Sequence, residues 1–107
     1  MGLGDRTLAF QALKVAVSLN GSHAEARNNL GVLEFHKGEA DAALAEYRAA
    51  QEAGPALYEP RYNGALTAFK AGELENTHQQ VGEALERFPE HASSQELLSL
   101  VESLFAL

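Results

Sequence analysis

The chain has 107 residues, with eight Lys and Arg against fifteen Asp and Glu, a net charge of −7, and no cysteine. That balance argues against nucleic-acid backbone and anionic lipid as partners, since both need clustered cations. No cysteine means no disulfide framework and no thiolate metal site. No apolar run approaches the roughly 18 residues of a membrane span, and the opening MGLGDRT lacks a signal peptide's apolar core, so a cytoplasmic location is expected. Abundant alanine and few strand-favouring runs predict an all-α chain.

The first predicted helix is Asp5–Leu19, with Asp5 as N-cap and Asn20-Gly21 as stop. Leu8, Ala9, Ala12, Leu13, Ala16 and Val17 share one face of a 3.6-residue period. Ser22 and Glu25 have the spacing of a capping box for a second helix running to about Lys37. Gly38 is expected to take the left-handed conformation that reverses the chain. The next helix, Ala40–Ala53, carries Ala43 and Ala50 two turns apart with Tyr47 between them, and Gly54-Pro55 ends it. Tyr58–Ala71 follows, with Pro60 tolerated in the first turn. Gly72 turns the chain into Leu74–Phe88, whose Val81, Ala84 and Leu85 point inward, and Pro89 closes that unit. Ala92–Leu107 is a last helix with an apolar stripe of Leu97, Leu98, Val101, Leu104 and Phe105, either packed on the preceding unit or left for a partner.

These elements recur. A shift of 34 residues superposes Asn29 on Asn63, Gly38 on Gly72, Ala50 on Ala84 and Pro55 on Pro89. A period of this length with glycine turns, small helix-packing residues and a closing proline resembles the tetratricopeptide repeat (TPR) family. The resemblance implies a helical-hairpin solenoid of about six antiparallel helices in a right-handed superhelix. In that frame residues 1–107 form a single array. Residues 1–23 hold the second helix of an incomplete repeat, 24–57 a full repeat, 58–91 a degenerate one and 92–107 a terminal capping helix. The apolar face of Asp5–Leu19 is expected to be under-covered, as if the chain were cut from something longer, and offers a route to self-association. The second copy departs from the pattern: Thr77 replaces alanine, and Gly64-Ala65 replaces Leu30-Gly31. A glycine inside a helix costs about 1 kcal/mol relative to alanine, and a close backbone approach would account for Gly64.

No catalytic, cofactor or metal constellation is found. His23, His36, His78 and His91 are never three or four residues apart, so no helix face presents a metal pair. They are expected at turns, on the surface or in a groove. Ser22-His23 suggests no nucleophile and base, Glu83 and Glu86 read as an exposed acidic face, and Asn20-Gly21-Ser22, though a glycosylation sequon, reads as a turn.

The surface with binding potential is the inner one. First-helix positions 2, 5, 6, 9, 12 and 13 of each repeat share a stripe that stacking turns into a concave groove. The first repeat offers Glu25, Asn28, Asn29, Val32, Phe35 and His36; the second offers Glu59, Tyr62, Asn63, Leu66, Phe69 and Lys70. Asn29 and Asn63, in register, would hydrogen-bond an extended peptide, and Phe35 and Phe69 would give apolar contact. The same groove would equally serve to hold the rest of its own superhelix or complex. A carboxylate clamp of the co-chaperone type is disfavoured, because Glu25, Glu59 and Ser93 stand where a lysine would help.

Further stretches narrow the resemblance: His23-Ala24-Glu25-Ala26 followed by Asn28-Asn29-Leu30, then Tyr58-Glu59-Pro60, then Phe88-Pro89 and a tail ending Phe105-Ala106-Leu107. Over essentially the whole chain these resemble the C-terminal repeats of the Bardet–Biedl syndrome family of TPR subunits, components of the BBSome. Arg27, where an aromatic is usual, and Gly64, where a bulky apolar residue is usual, are departures. The resemblance implies a non-enzymatic scaffold in a coat-like adaptor that moves membrane proteins into and out of cilia. It also implies sibling BBSome subunits as partners, membrane engagement left to those siblings, a role in ciliogenesis, and residence in the cytoplasm, cilium and ciliary base. The alternative is a free-standing TPR adaptor that binds a linear peptide in its concave groove.

Overall fold

The computed structural model describes residues 8–15 and 23–107. The expected cap Asp5, the stop and sequon at Asn20-Gly21-Ser22, and the ends of the first helix lie outside the described residues. Residues 8–15 are helical (α1). Then follow α2 (Ala24–His36), α3 (Ala40–Ala53), α4 (Glu59–Lys70), α5 (Leu74–Arg87) and α6 (Ala92–Phe105), with no strand among the described residues. The fold is all-α, a stack of helical hairpins.

Each hairpin turns on a glycine. Gly38 and Gly72 have φ of 84° and 82°, a region closed to most side chains. Behind Gly38, the Glu39 N–H reaches the Glu34 carbonyl (2.9 Å) and the Gly38 N–H reaches that of Phe35 (2.9 Å). Glu73 to Ala68 and Gly72 to Phe69, both 3.0 Å, repeat this pattern one unit later. Two bonds of this kind satisfy the last carbonyls of a helix and reverse the chain tightly.

The helix starts differ from expectation. The N-cap of α2 is His23 rather than Ser22, and its imidazole Nδ1 accepts the Ala26 N–H at 3.1 Å. His91 caps α6 in the same way, with Nδ1 3.2 Å from the Ser94 N–H and 2.7 Å from the Ser94 hydroxyl. An imidazole nitrogen with a free lone pair satisfies an orphan helix donor as a serine oxygen would. The two caps stand 68 residues apart, twice the period, a relation the sequence reading missed.

Packing is sequential. Each helix from α2 to α6 packs on the next, and α2 also touches α4 and α4 touches α6, whereas α3 and α5 do not meet. The first helices of successive hairpins therefore touch in an inner row, and the second helices stand apart outside it. That asymmetry makes the inner face concave. The expected alanine contacts are present: Ala43, Tyr47 and Ala50 are buried, with Ala65, Val81, Ala84, Leu97 and Val101 continuing the core, while Leu85 is half-buried. Thr77, at an alanine position, is buried with its hydroxyl donating to the Glu73 carbonyl at 2.8 Å. In α1, Leu8 is 71% exposed.

Gly31 and Tyr47 join α2 to α3. A Cβ on Gly31 would lie 2.6 Å from Tyr47 Cε1, so the ring rests directly on the helix backbone. Gly64 is different. Its open side faces the side chains of Gln80 and Gln51, with Gln80 Oε1 at 2.6 Å from a built Cβ, so the expected close backbone approach is instead a close approach of a flexible polar side chain.

Candidate functional site

The inner row carries the stripe defined by the repeat frame. Glu25, Asn29, His36, Glu59 and Lys70 lie along its two edges, and Val32, Phe35, Tyr62, Asn63, Leu66 and Phe69 are half-buried between them. Asn28 is buried and accepts a hydrogen bond at Oδ1 from Asn63 Nδ2 (3.1 Å), linking α2 to α4. This alters the expected amide ladder: Asn63 bonds within the scaffold, and Asn29, its counterpart in register, is the amide left exposed on α2. Glu25, Asn28, Asn29, Leu57, Glu59 and Pro60 line a recess of about 250 Å³ between the two units.

The stripe is polarised across the helices. Glu25 and Glu59 sit in the first turns of α2 and α4, and His36 and Lys70 in their last turns, as helix dipoles favour. Phe35 and Phe69 lie beside the cationic ends; Lys70 Nζ is 5.7 Å from the centre of the Phe35 ring. Any partner seated here meets carboxylates along one edge, apolar side chains in the middle, and the Lys70 ammonium and the His36 imidazole along the other edge. Leu100 extends the apolar strip, since it stands 34 residues after Leu66 and 68 after Val32 and is 47% exposed. The sequence reading did not include Leu100; continuing the repeat frame into the last helix would have found it.

At one lip of the stripe, rings gather around the second cap. The Tyr58 and His91 ring centres are 4.5 Å apart, Tyr62 and His91 5.3 Å, and Tyr58 and Phe88 6.4 Å. The corresponding corner of the preceding unit has Ala24, Gly54 and Leu57. The last helix is thus clasped by aromatic contacts where the other corner closes with aliphatic residues around Gly54. His78, expected as a surface residue, is exposed and meets the Phe105 ring at 5.6 Å.

Among the described residues two ionisable groups are perturbed, Glu34 and Tyr47, neither of them a stripe residue. Glu34 lies on α2 beside the α3 interface. Burial first, then the carboxylates of Glu46 and Glu39, push its carboxyl up, against the opposing pull of Lys14 and Lys37. Its Oε1 is buried without a hydrogen-bond partner among the described residues. The Tyr47 phenol is pushed up by burial, with the Thr67 hydroxyl opposing. Arg27 pairs with Glu46 at 3.1 Å, which gives a polar replacement for the aromatic usual at that site. No cluster of three metal-ligating side chains occurs among the described residues. No helix among them is long and apolar enough to cross a membrane.

Comparison with known proteins agrees with this geometry. Tetratricopeptide repeat protein 8 of Mus musculus is 37% identical, and that of Homo sapiens 36% identical, over all 107 residues. The chain spans 21% and 20% of those proteins, about a fifth of their length. Among solved structures, the Yersinia enterocolitica type III secretion chaperone SycD in complex with a peptide of the translocator YopD superposes with a TM-score of 0.84, at 15% identity, over 92% of this chain and 81% of that one. MamA protein superposes with a TM-score of 0.83, at 21% identity, over 92% and 54%. At these identities the two structures speak to the fold. The tetratricopeptide repeat profile matches residues 1–57, just over half of the chain, and with the repeat period, the glycine turns and the stacked hairpins it shows that the chain belongs to the tetratricopeptide repeat family.

Proposed function

We propose that the chain is a non-enzymatic scaffold segment of a BBSome-type subunit, acting in ciliary membrane-protein trafficking and ciliogenesis. The observation that carries this reading is the 37% identity to Tetratricopeptide repeat protein 8, sustained along the whole chain. The two repeat structures of the same fold reach only 15% and 21%. In this reading the repeats divide at 24–57 and 58–91, with 92–107 closing the stack. The stripe from Glu25 to Lys70 contacts sibling subunits in the cytoplasm, at the ciliary base and in the cilium. The chain's net charge of −7 leaves membrane binding to those siblings. The test is affinity capture of the full-length protein from ciliated cells, with other BBSome subunits expected in the eluate. Their absence under conditions that preserve the assembly overturns the proposal.

A second reading, a free-standing adaptor for a linear peptide, draws on the strip of Val32, Leu66 and Leu100. It predicts that one short segment binds the isolated chain and that Asn29→Ala with Asn63→Ala weakens it. Unchanged binding of every partner by that double variant removes the groove-peptide reading and leaves the scaffold reading standing.

A further inference from the structure

On the side of α4 away from the groove, the second repeat carries a cation whose partner is missing. In the first repeat Arg27 of α2 pairs with Glu46 of α3 at 3.1 Å. One period later Arg27 becomes Arg61, and Glu46 becomes Gln80. Arg61 therefore has no carboxylate at the equivalent place, and it forms no ion pair with a described residue. Its Nε is buried without an acceptor among the described residues. Arg61 and Asn63 are two residues apart, about 200° around the helix, so Arg61 faces outward while Asn63 holds the inner row together.

Arg61 borders two recesses: one of about 40 Å³, lined with it by Leu44, Arg48 and Gln51 of α3 and Gln80 and Glu83 of α5, and a wider one of about 370 Å³ shared with Glu83, Glu86 and Arg87 of α5. The smaller one lies where the backbones of α3 and α5 stay apart and only their side chains converge. Gly64 stands where the first repeat has Leu30, and this leaves room for the Gln80 side chain beside α4. Arg48, like Arg61, forms no ion pair with a described residue. Two of the chain's eight cations thus converge on one polar recess in a protein of net charge −7.

We propose that the smaller recess receives a carboxylate side chain from an acidic segment of a partner protein, seated as Glu46 is seated on Arg27. A guanidinium fork matches a carboxylate in shape and charge. The guanidinium is already partly removed from water without having gained an acceptor, so an arriving anion meets a reduced desolvation cost. The volume of the smaller recess, about 40 Å³, suits a small head group: it is room for a few waters or one carboxylate. Glu83 on the rim selects for a single negative charge, because a dianionic phosphate meets more repulsion there than a carboxylate. The site lies on the outer face and is independent of what the groove holds.

Acetate, compared with chloride at matched ionic strength, is the probe, followed by NMR on the full chain. Saturable shifts at the Gly64 and Gln80 amides and at the Arg61 side chain are expected. Arg61→Lys keeps the charge and removes the fork, and should weaken acetate by about tenfold, the scale of one hydrogen bond to a charged group. Gln80→Glu restores the pair of the first repeat, and should raise the melting temperature while abolishing the acetate response. Shifts that do not saturate, or that persist unchanged in Gln80→Glu, overturn the proposal. Inorganic phosphate binding more tightly than acetate at neutral pH overturns the carboxylate assignment in favour of a phosphate site. The groove double variant Asn29→Ala/Asn63→Ala should leave the acetate response intact, so failure here is distinct from failure of the scaffold reading.

Discussion

Replacing Gly31 by alanine places a methyl carbon 2.6 Å from Cε1, 2.9 Å from Cδ1 and 3.1 Å from Cζ of Tyr47. Comfortable carbon–carbon contact begins at about 3.5 Å, so the ring or the helix must move by nearly an ångström. Tyr47 is only 2% exposed, with Ala43 and Ala50 buried on either side of it, so the ring has no free space to enter. Overpacking of this kind costs about 1–3 kcal/mol. Alanine recovers about 1 kcal/mol of helix propensity over glycine, leaving a net loss of up to about 2 kcal/mol. For a domain of this size each kcal/mol moves the melting temperature by about 4–8 °C. Gly82→Ala is the internal control: nothing lies within 4 Å of its Cβ, so only the propensity gain remains and the variant should be more stable than the parent. Thermal and urea denaturation of both variants, and of Gly31→Ala combined with Tyr47→Leu, reads the effect. The Gly31→Ala penalty should shrink in the Tyr47→Leu background because the colliding ring is gone. Equal stabilisation by Gly31→Ala and Gly82→Ala, or a penalty indifferent to the Tyr47→Leu change, would refute the contact.

His91→Ala should cost about 1 kcal/mol, the usual worth of a side-chain N-cap, whereas His91→Asn should retain most of it; hydrogen exchange at the Ser94 amide separates the two. Glu34 has a carboxyl raised from its ordinary 4.5, so its protonated form favours the fold. That contribution is complete below 4.5 and is lost as pH rises through the raised value. Glu34→Gln should accordingly be more stable than the parent at neutral pH and show a flatter stability–pH curve just above 4.5, and a variant less stable at neutral pH would contradict the burial argument. In α6, Val101→Ala removes buried surface and should cost about 2 kcal/mol, while Leu100→Ser, next to it in the chain but on the exposed concave face, should leave the urea midpoint nearly unchanged.

Much of the stack was legible in the residues because it is local. Glycine at Gly38 and Gly72 is required by a backbone conformation, and the recurrence of apolar residues at helical spacing follows from the need to bury one face. The candidate stripe was legible as positions, since a period of 34 carries Glu25 onto Glu59 and Phe35 onto Phe69 without any knowledge of distance. What those positions do with one another was not. Asn63 was expected to face a ligand with Asn29 and instead bonds Asn28, because the choice depends on how far α4 is displaced against α2. The capping of α2 by His23 turned on one residue of register at a helix start, which the capping-box spacing of Ser22 and Glu25 placed one residue earlier.

Taken alone, the sequence determined the helix order, the turns, the repeat period and which faces are apolar, all properties of segments no longer than one hairpin or of their recurrence. Tertiary structure decided what lies between helices. It set Tyr47 against the Gly31 backbone, kept the backbones of α3 and α5 apart so that Arg61 and Arg48 border an open recess, and turned Asn63 onto Asn28. The reason is geometric: side chains from different units meet only after each helix has settled on its neighbour, and that settling is governed by packing volume summed over the stack rather than by any one stretch of chain.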